Sequence, residues 1–205
     1  MHEEALTNEA ARLFPLFQRF KGFYLVGGTA LALQIGHRIS VDFDLFCFEE
    51  LAANLLPRVK RVFSRHSILV TYAVPEQLNL ILDGVKVTFF YYPYPTVEPF
   101  VLYKDIALAS VHEIAAMKAF AVGKRIAYKD YADWYFLLRD GRVSIKHVMK
   151  LARTKFGGDF NDRLFLGQLA SLDDVPTQKI NFLKEEPTRE VIGDVLREVV
   201  REYLS

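Results

Sequence analysis

Residues 23–46 constrain the fold more than any other stretch of the chain. FYLVGG (23–28) is a short apolar run closed by two glycines. TALALQIGH (29–37) follows, with Thr29 at a cap position ahead of Ala- and Leu-rich helix formers. The order is strand, tight turn, helix. VDFDLF (41–46) then alternates Val41, Phe43 and Leu45 with Asp42, Asp44 and Phe46. A period of two makes this a strand with one apolar face and one face that carries both carboxylates.

Around this centre the periodicity changes once. Residues 4–20 place Ala5, Leu6, Leu13, Phe14 and Phe17 at helical spacing, and Glu49 to Phe63 repeats the pattern with Leu51, Leu55, Leu56, Val59 and Val62. Three strand-like stretches follow: SILVTYAV (67–74), QLNLILD (77–83) and VKVTFFYY (85–92). Asp83-Gly84 between the last two is a hairpin signal. YPYPTVEPF (92–100) breaks the pattern with its prolines, and from about residue 104 every periodic segment is helical: 110–122, 127–139, 144–155, 160–171 and 188–204. The expectation is an α+β protein: a mixed β-sheet core with flanking helices over residues 1–100, then an all-α helical bundle over 101–205 that completes the site.

Composition excludes several classes. A hydrophobic content of 51% supports a real core, and a formal charge of +1 advertises no polyanionic partner for the chain as a whole. Charge is uneven, however: residues 101–155 hold 11 basic and 5 acidic residues. Such a band is most often a solvated face, although it has cations enough to neutralise several phosphates. The lone cysteine, Cys47, forms no internal disulfide, fits a reducing compartment and reads as a small buried apolar residue. The first residues carry acids where a secretory signal carries Lys or Arg, and no apolar run approaches the ~18 residues of a membrane span. These features predict a cytoplasmic protein with no membrane partner.

A strand, a Gly-Gly turn and a helix N-terminus offer a triphosphate closely approachable backbone, N–H groups and the positive end of a helix dipole. Asp42 and Asp44, about 7 Å of rise apart on one face, are hard oxygen ligands suited to Mg²⁺ or Mn²⁺ held against phosphate oxygens. Phosphoryl or nucleotidyl transfer needs little else than positioning and charge neutralisation.

The combination is more specific than its parts. Gly27-Gly28, a spacer of residues 29–41, then Asp42-Phe43-Asp44 with hydrophobic residues beside each carboxylate resembles the signature of the DNA polymerase β-like nucleotidyltransferase superfamily. VGGTALALQIGHRISVDFDLF (26–46) is similar to the AbiEii/AbiGii-type nucleotidyltransferase toxins, whose motif runs Gly-Gly-Thr-x-Leu, then Arg-x-Ser-x-Asp-x-Asp. Those positions are Gly27, Gly28, Thr29, Leu31, Arg38, Ser40, Asp42 and Asp44. GVKVTFFYYPYP (84–95) and ASVHEIAAMKAFAVGKRIAYKDYADWYFLL (109–138) extend the resemblance over roughly residues 20–140. It implies an enzyme that moves NMP from an NTP to a hydroxyl acceptor, RNA at a tRNA 3′ end, with a cognate antitoxin in a type IV-like toxin–antitoxin system. Asp42 and Asp44 would be catalytic metal ligands, Gly27, Gly28 and Thr29 would meet the phosphates, and Lys118 and Asp130 would be catalytic groups that close the site.

Other positions leave two readings open. Arg38 and Ser40 meet triphosphate oxygens, or Arg38 neutralises Asp42 and Asp44. Lys118, inside IAAMKAFAV, needs either a partner or a phosphate. Lys129 and Asp133 are four apart, the spacing of a surface pair. The aromatic tract 89–100 stacks bases or, as its alternation over both sides of a sheet edge favours, packs a strand end. One departure from the superfamily stands out: Thr88 occupies the strand position where a third carboxylate is expected. Asp130 or Asp83 would then supply the charge, or metal-bound water would deprotonate the acceptor, or activity would be weak. Lys86, on the same strand face, meets phosphate or forms an ion pair with Asp42. The same residues also suit a non-catalytic nucleotide-binding module, or a transferase whose acceptor is a protein partner.

Overall fold

The computed structural model describes residues 1–122 and 127–205. They form two compact units, one of Met1–Pro95 with Pro99–Ser110, the other of Thr96–Glu98 with Val111–Ser205.

The first unit opens with α1 (Asn8–Leu13), followed by β1 (Tyr24–Val26), α2 (Gly27–Ile35), β2 (Asp42–Cys47), α3 (Leu55–Val62), β3 (Ile68–Val74), β4 (Gln77–Leu82), β5 (Val85–Tyr91), β6 (Val101–Tyr103) and β7 (Ile106–Leu108). The strands make one mixed sheet in the order β3-β4-β5-β2-β1-β7-β6, with β2 parallel to β5, β1 antiparallel to β2 and β1 parallel to β7. Alternation sorts the residues to two faces. Phe43 and Leu45 on β2, Val87 and Phe89 on β5, and Leu80 and Leu82 on β4 are buried. Phe14, Phe17, Phe20 and Phe63 pack there, with ring centroids 4.8 Å apart for Phe17–Phe43 and 5.1 Å for Phe20–Phe89. The other face carries Asp42, Asp44 and Phe46, all half-buried.

Three elements differ from the sequence expectation. The opening helix is broken: Thr7 caps α1 by accepting a hydrogen bond from the Ala10 amide, and the turns continue as a 3-10 helix, Phe14–Arg19. Pro15 has no N–H to continue the α-helical ladder. The third helix starts at Leu55 instead of Glu49, which puts Pro57 in a first turn where a missing N–H costs nothing. The stretch after residue 100, read as leading only into helices, makes the hairpin β6–β7. Its turn residues Lys104 (φ 50°) and Asp105 (φ 59°) are both left-handed without being glycine. Asp83-Gly84 does turn the β4–β5 hairpin as expected, with φ of 47° and 84°.

The second unit contains α4 (Val111–Val122), α5 (Tyr128–Arg139), α6 (Ile145–Phe156), α7 (Asp162–Ala170) and α8 (Arg189–Leu204). Ser144, Asn161 and Thr188 cap α6, α7 and α8, each accepting a hydrogen bond from the amide three residues on. No helix among the described residues is long and apolar enough to cross a membrane.

An internal ion pair joins α4 to α6. Lys155 Nζ lies 2.8 Å from Glu113 Oε1, both side chains fully buried, and Glu113 Oε2 accepts from the Val97 and Glu98 amides at 2.9 and 3.1 Å. Burial pushes the Lys155 ammonium below its ordinary pKa, against the pull of Glu113. A pair held this way is expected to cost far more when broken than when replaced whole. In urea denaturation, Lys155→Met should lose about 3–5 kcal/mol by leaving the carboxylate without its cation. Lys155→Met combined with Glu113→Gln should recover most of that loss; a double variant no more stable than the single one would contradict the assignment.

Candidate active site

The site grows from a strand that becomes a helix without a linker. β1 ends at Val26 and α2 begins at Gly27. Val26 stands at the N-cap position and offers no side-chain acceptor, so this helix start has no cap from its own N-cap residue. Thr29 is therefore not the cap that the sequence suggested. It lies inside the first turn, buried, with Oγ1 donating to the backbone carbonyl of Asp42 and 2.8 Å from Ser40 Oγ. A hydroxyl has one proton, so when Thr29 gives it to Asp42, Ser40 supplies the proton of the second bond. These bonds staple the start of α2 to the start of β2.

The two glycines explain themselves by what approaches them. Gly27 has φ +70°, and a Cβ on it would stand 2.6 Å from Asp44 Oδ2. A Cβ on Gly28 would stand 2.5 Å from Arg38 Nη2 and 3.4 Å from Ser40 Oγ. A carboxylate and a guanidinium thus occupy the volume that side chains here would take. Arg38 is 5% exposed and donates through Nη1 to the Ile39 carbonyl at 3.1 Å. Gly27, Gly28, Thr29, Arg38, Ser40, Asp42 and Asp44 are brought together at one locus.

Lys86 joins them by register, since it is the β5 partner of Asp42 as Thr88 is of Asp44. No acid stands at the strand position opposite Asp44. Asp83 does not replace it: Oδ2 is 2.7 Å from His66 Nδ1, and Oδ1 accepts from the Ser67 amide and hydroxyl at 2.8 and 3.0 Å. Those bonds, His66 first, hold the Asp83 carboxyl below the usual range and tie it to the hairpin end of the sheet. Among the described residues no group of three or more His, Cys, Asp or Glu is placed to hold a metal ion. Two carboxylates on one face are nonetheless a fitting donor set for Mg²⁺, which completes its octahedron with waters and substrate phosphates.

The face also holds groups that the sequence reading passed over. Asn79 on β4 pairs with Thr88, and Gln77 pairs with Phe90. The row Asn79, Thr88, Asp44 therefore crosses three strands on the carboxylate face. Their polar positions in QLNLILD carried the signal, but only the register assigns them to this face.

Lys118 and Asp130 belong to the second unit. Lys118 Nζ is 2.7 Å from Asp130 Oδ1 and 2.6 Å from Asp133 Oδ2, and the three side chains are 6%, 1% and 0% exposed. The cation in the apolar run found partners, and Asp133 is buried in this cluster instead of pairing with Lys129 at the surface. Much of the basic band is likewise used internally: Lys155 by Glu113, Arg153 by Asp162 at 2.5 Å, Arg139 by Asp140 at 2.7 Å, and Lys104 by Glu3. Lys129, Arg142, Lys146 and Lys150 are exposed, and Lys124 and Arg125 lie outside the described residues.

Residues 11–203 match the family described as Nucleotidyl transferase AbiEii toxin, Type IV TA system. The chain belongs to this family. It is accordingly a nucleotidyltransferase of the toxin type, with the α+β fold that the sequence implied. An uncharacterized protein of Aquifex aeolicus (strain VF5) is 32% identical over 186 residues, 89% of this chain and 88% of its own. The fold is shared with JHP933 from Helicobacter pylori (17% identity, 98% of this chain and 92% of that one, TM-score 0.60). It is shared also with MenT4, a nucleotidyltransferase toxin from Mycobacterium tuberculosis H37Rv (15% identity, 94% and 79%, TM-score 0.53).

The glycine contacts generate a direct test. Gly27→Ala forces a positive φ on alanine, costing roughly 1 kcal/mol, and drives the Asp44 carboxylate from its place. Displacing a reacting group by about 1 Å costs on the order of a hundredfold in rate. Transfer of label from NTP should therefore fall at least that far in Gly27→Ala while thermal melting shifts by only a few degrees; transfer at the wild-type rate would refute the role of this close approach.

Proposed function

We propose that the chain transfers NMP from an NTP to a terminal hydroxyl of RNA, with a tRNA 3′ end as acceptor, in a reaction that requires Mg²⁺ or Mn²⁺. The observation that carries this reading is the position of the Asp44 carboxylate in the space beside Gly27. That carboxylate, an oxygen ligand of the kind a divalent cation takes, lies beside the helix N-terminus that suits phosphate. Family membership adds a cognate antitoxin as the expected partner.

In this mechanism the amides from Gly27 to Thr29 take the terminal phosphates of the NTP, and Arg38 and Ser40 sit against the same turn. Asp42 and Asp44 would hold the metal, which would supply charge neutralisation for the triphosphate and a lowered pKa for the attacking hydroxyl. The acceptor oxygen forms a bond to the α-phosphorus, and the bond from that phosphorus to the bridging oxygen breaks. Pyrophosphate leaves with the electron pair, and the hydroxyl proton passes to water, since Thr88 is no base. Lys86, beside Asp42, meets the charge that develops on the α-phosphate. Lys118 and Asp130 are assigned a positioning role, because Nζ is committed to two carboxylates that tie α4 to α5.

Thr88 supports a second reading, a nucleotide-binding module without turnover. Labelled NTPs, Mg²⁺ and total tRNA distinguish the two. The first reading expects transfer that EDTA abolishes and that Asp42→Asn or Asp44→Asn lowers by at least a hundredfold, several kcal/mol of lost metal-borne stabilisation. NTP binding in calorimetry with no transfer to any RNA would favour the second. Transfer insensitive to EDTA would sink the metal site. Lys118→Ala should behave differently from the aspartate variants: it unfolds the protein at lower urea, by about 3–5 kcal/mol, and a fully stable but inactive Lys118→Ala protein would return that residue to the chemistry.

A further inference from the structure

The sheet order divides the surroundings of the two carboxylates into two sides. Gly27 and α2 lie on the β1 side of the two carboxylates, and β5 and then β4 lie on the other. Attacking and leaving oxygens stand roughly in line at the transferred phosphorus. If pyrophosphate departs over Gly27, the hydroxyl arrives over β5. The groups that β5 and β4 present on this face therefore bear on what the acceptor is.

Next to Thr88 on this face stands Phe90, half-exposed, its ring 5.2 Å from that of Phe46, the residue two beyond Asp44 on β2. The alternating neighbours Phe89 and Leu45 are buried in the core, and the two half-exposed rings cluster with Tyr92, 4.9 Å from Phe46 and 6.3 Å from Phe90, and with Tyr24, 6.3 Å from Phe46. Across from Phe90 is Gln77, whose Nε2 donates to Asn79 Oδ1 at 2.9 Å. This bond fixes both amides and leaves Gln77 Oε1 as an acceptor and Asn79 Nδ2 as a donor, side by side. Two half-exposed rings, tilted 55° to each other, beside one donor and one acceptor suit a nucleobase, which has a π-face and a polar edge.

We infer that the terminal nucleotide of a single-stranded nucleic-acid acceptor is seated on β4 and β5, its base against Phe90 and Phe46 and its edge read by Gln77 and Asn79. This rests on the transfer reaction proposed above and assigns its acceptor a subsite. Rows on adjacent strands are about 4.8 Å apart, so a base over β4 and β5 leaves its ribose within one nucleotide's reach of Asp44.

The test uses a single-stranded RNA oligonucleotide with a free 3′ hydroxyl and a matched one whose last residue lacks its base. Transfer to each is measured for the wild type, Phe90→Leu and Asn79→Ala, beside calorimetric binding of a non-hydrolysable NTP. Loss of one stacked base costs on the order of ten- to a hundredfold. The wild type should lose that much acceptor kcat/KM on the abasic oligonucleotide. Both variants should lose it on the intact one, with little further loss on the abasic one and NTP affinity within about twofold of wild type. Asn79→Ala, at a half-exposed position, reports even if Phe90→Leu folds poorly. Equal wild-type rates on the two oligonucleotides, or variants that slow both alike, overturn the inference and leave the reaction standing. No transfer to any RNA while NTP still binds overturns the acceptor reading and this inference together.

Discussion

The close approach of the Asp44 carboxylate to Gly27 is the contact on which the rest of the site depends. Neither residue is unusual alone: glycine pairs end many strands and alternating aspartates occur on many sheet edges. What matters is that the chain passes from β1 into α2 with a left-handed residue and no side chain, so that β2 lies against the turn. The bonds from Thr29 to the Asp42 carbonyl and to Ser40 hold that arrangement from the opposite side. A helix N-terminus, two carboxylates and a buried arginine then come within one turn of each other, and their chemistry follows from that proximity.

A second constraint is that charge inside this protein is spent on charge. Lys118 serves two aspartates and Lys155 serves a glutamate that also takes two amides of residues 97 and 98. These pairs are weak evidence for stability and stronger evidence for a specified arrangement, since each is costly to break. They also correct a reading of net charge. The excess of cations in residues 101–155 is drawn down by buried and surface pairs, so attraction of a polyanion rests on fewer residues than the count implies.

The carboxylate strand, the Gly-Gly turn and the Asp83-Gly84 hairpin were legible because each rests on local chemistry: period two, positive φ, and the steric permission of glycine. The β6–β7 hairpin was not, because Lys104 and Asp105 hold left-handed conformations that no glycine announces and that the pairing of β7 with β1 sustains. The broken first helix was legible in principle, through Thr7 and Pro15, yet apolar periodicity masked it. At the site, the residue types were plain but their partners were not. Asp133 has surface-pair spacing to Lys129 and is instead wholly buried with Lys118. Asn79 and Gln77 look like the polar side of any strand until the register sets them across from Thr88 and Phe90. Long-range register is the information that spacing along a chain does not contain.

The central claim is that Asp42 and Asp44 bring a divalent metal onto the phosphate that is transferred. It is tested most directly by NTPs in which one non-bridging oxygen of the α-phosphate is replaced by sulfur. Sulfur is a poor ligand for Mg²⁺ and a better one for softer cations such as Mn²⁺. The account predicts that one diastereomer is transferred slowly in Mg²⁺ and regains most of its rate in Mn²⁺. Both diastereomers reacting in Mg²⁺ as fast as the parent NTP would contradict it.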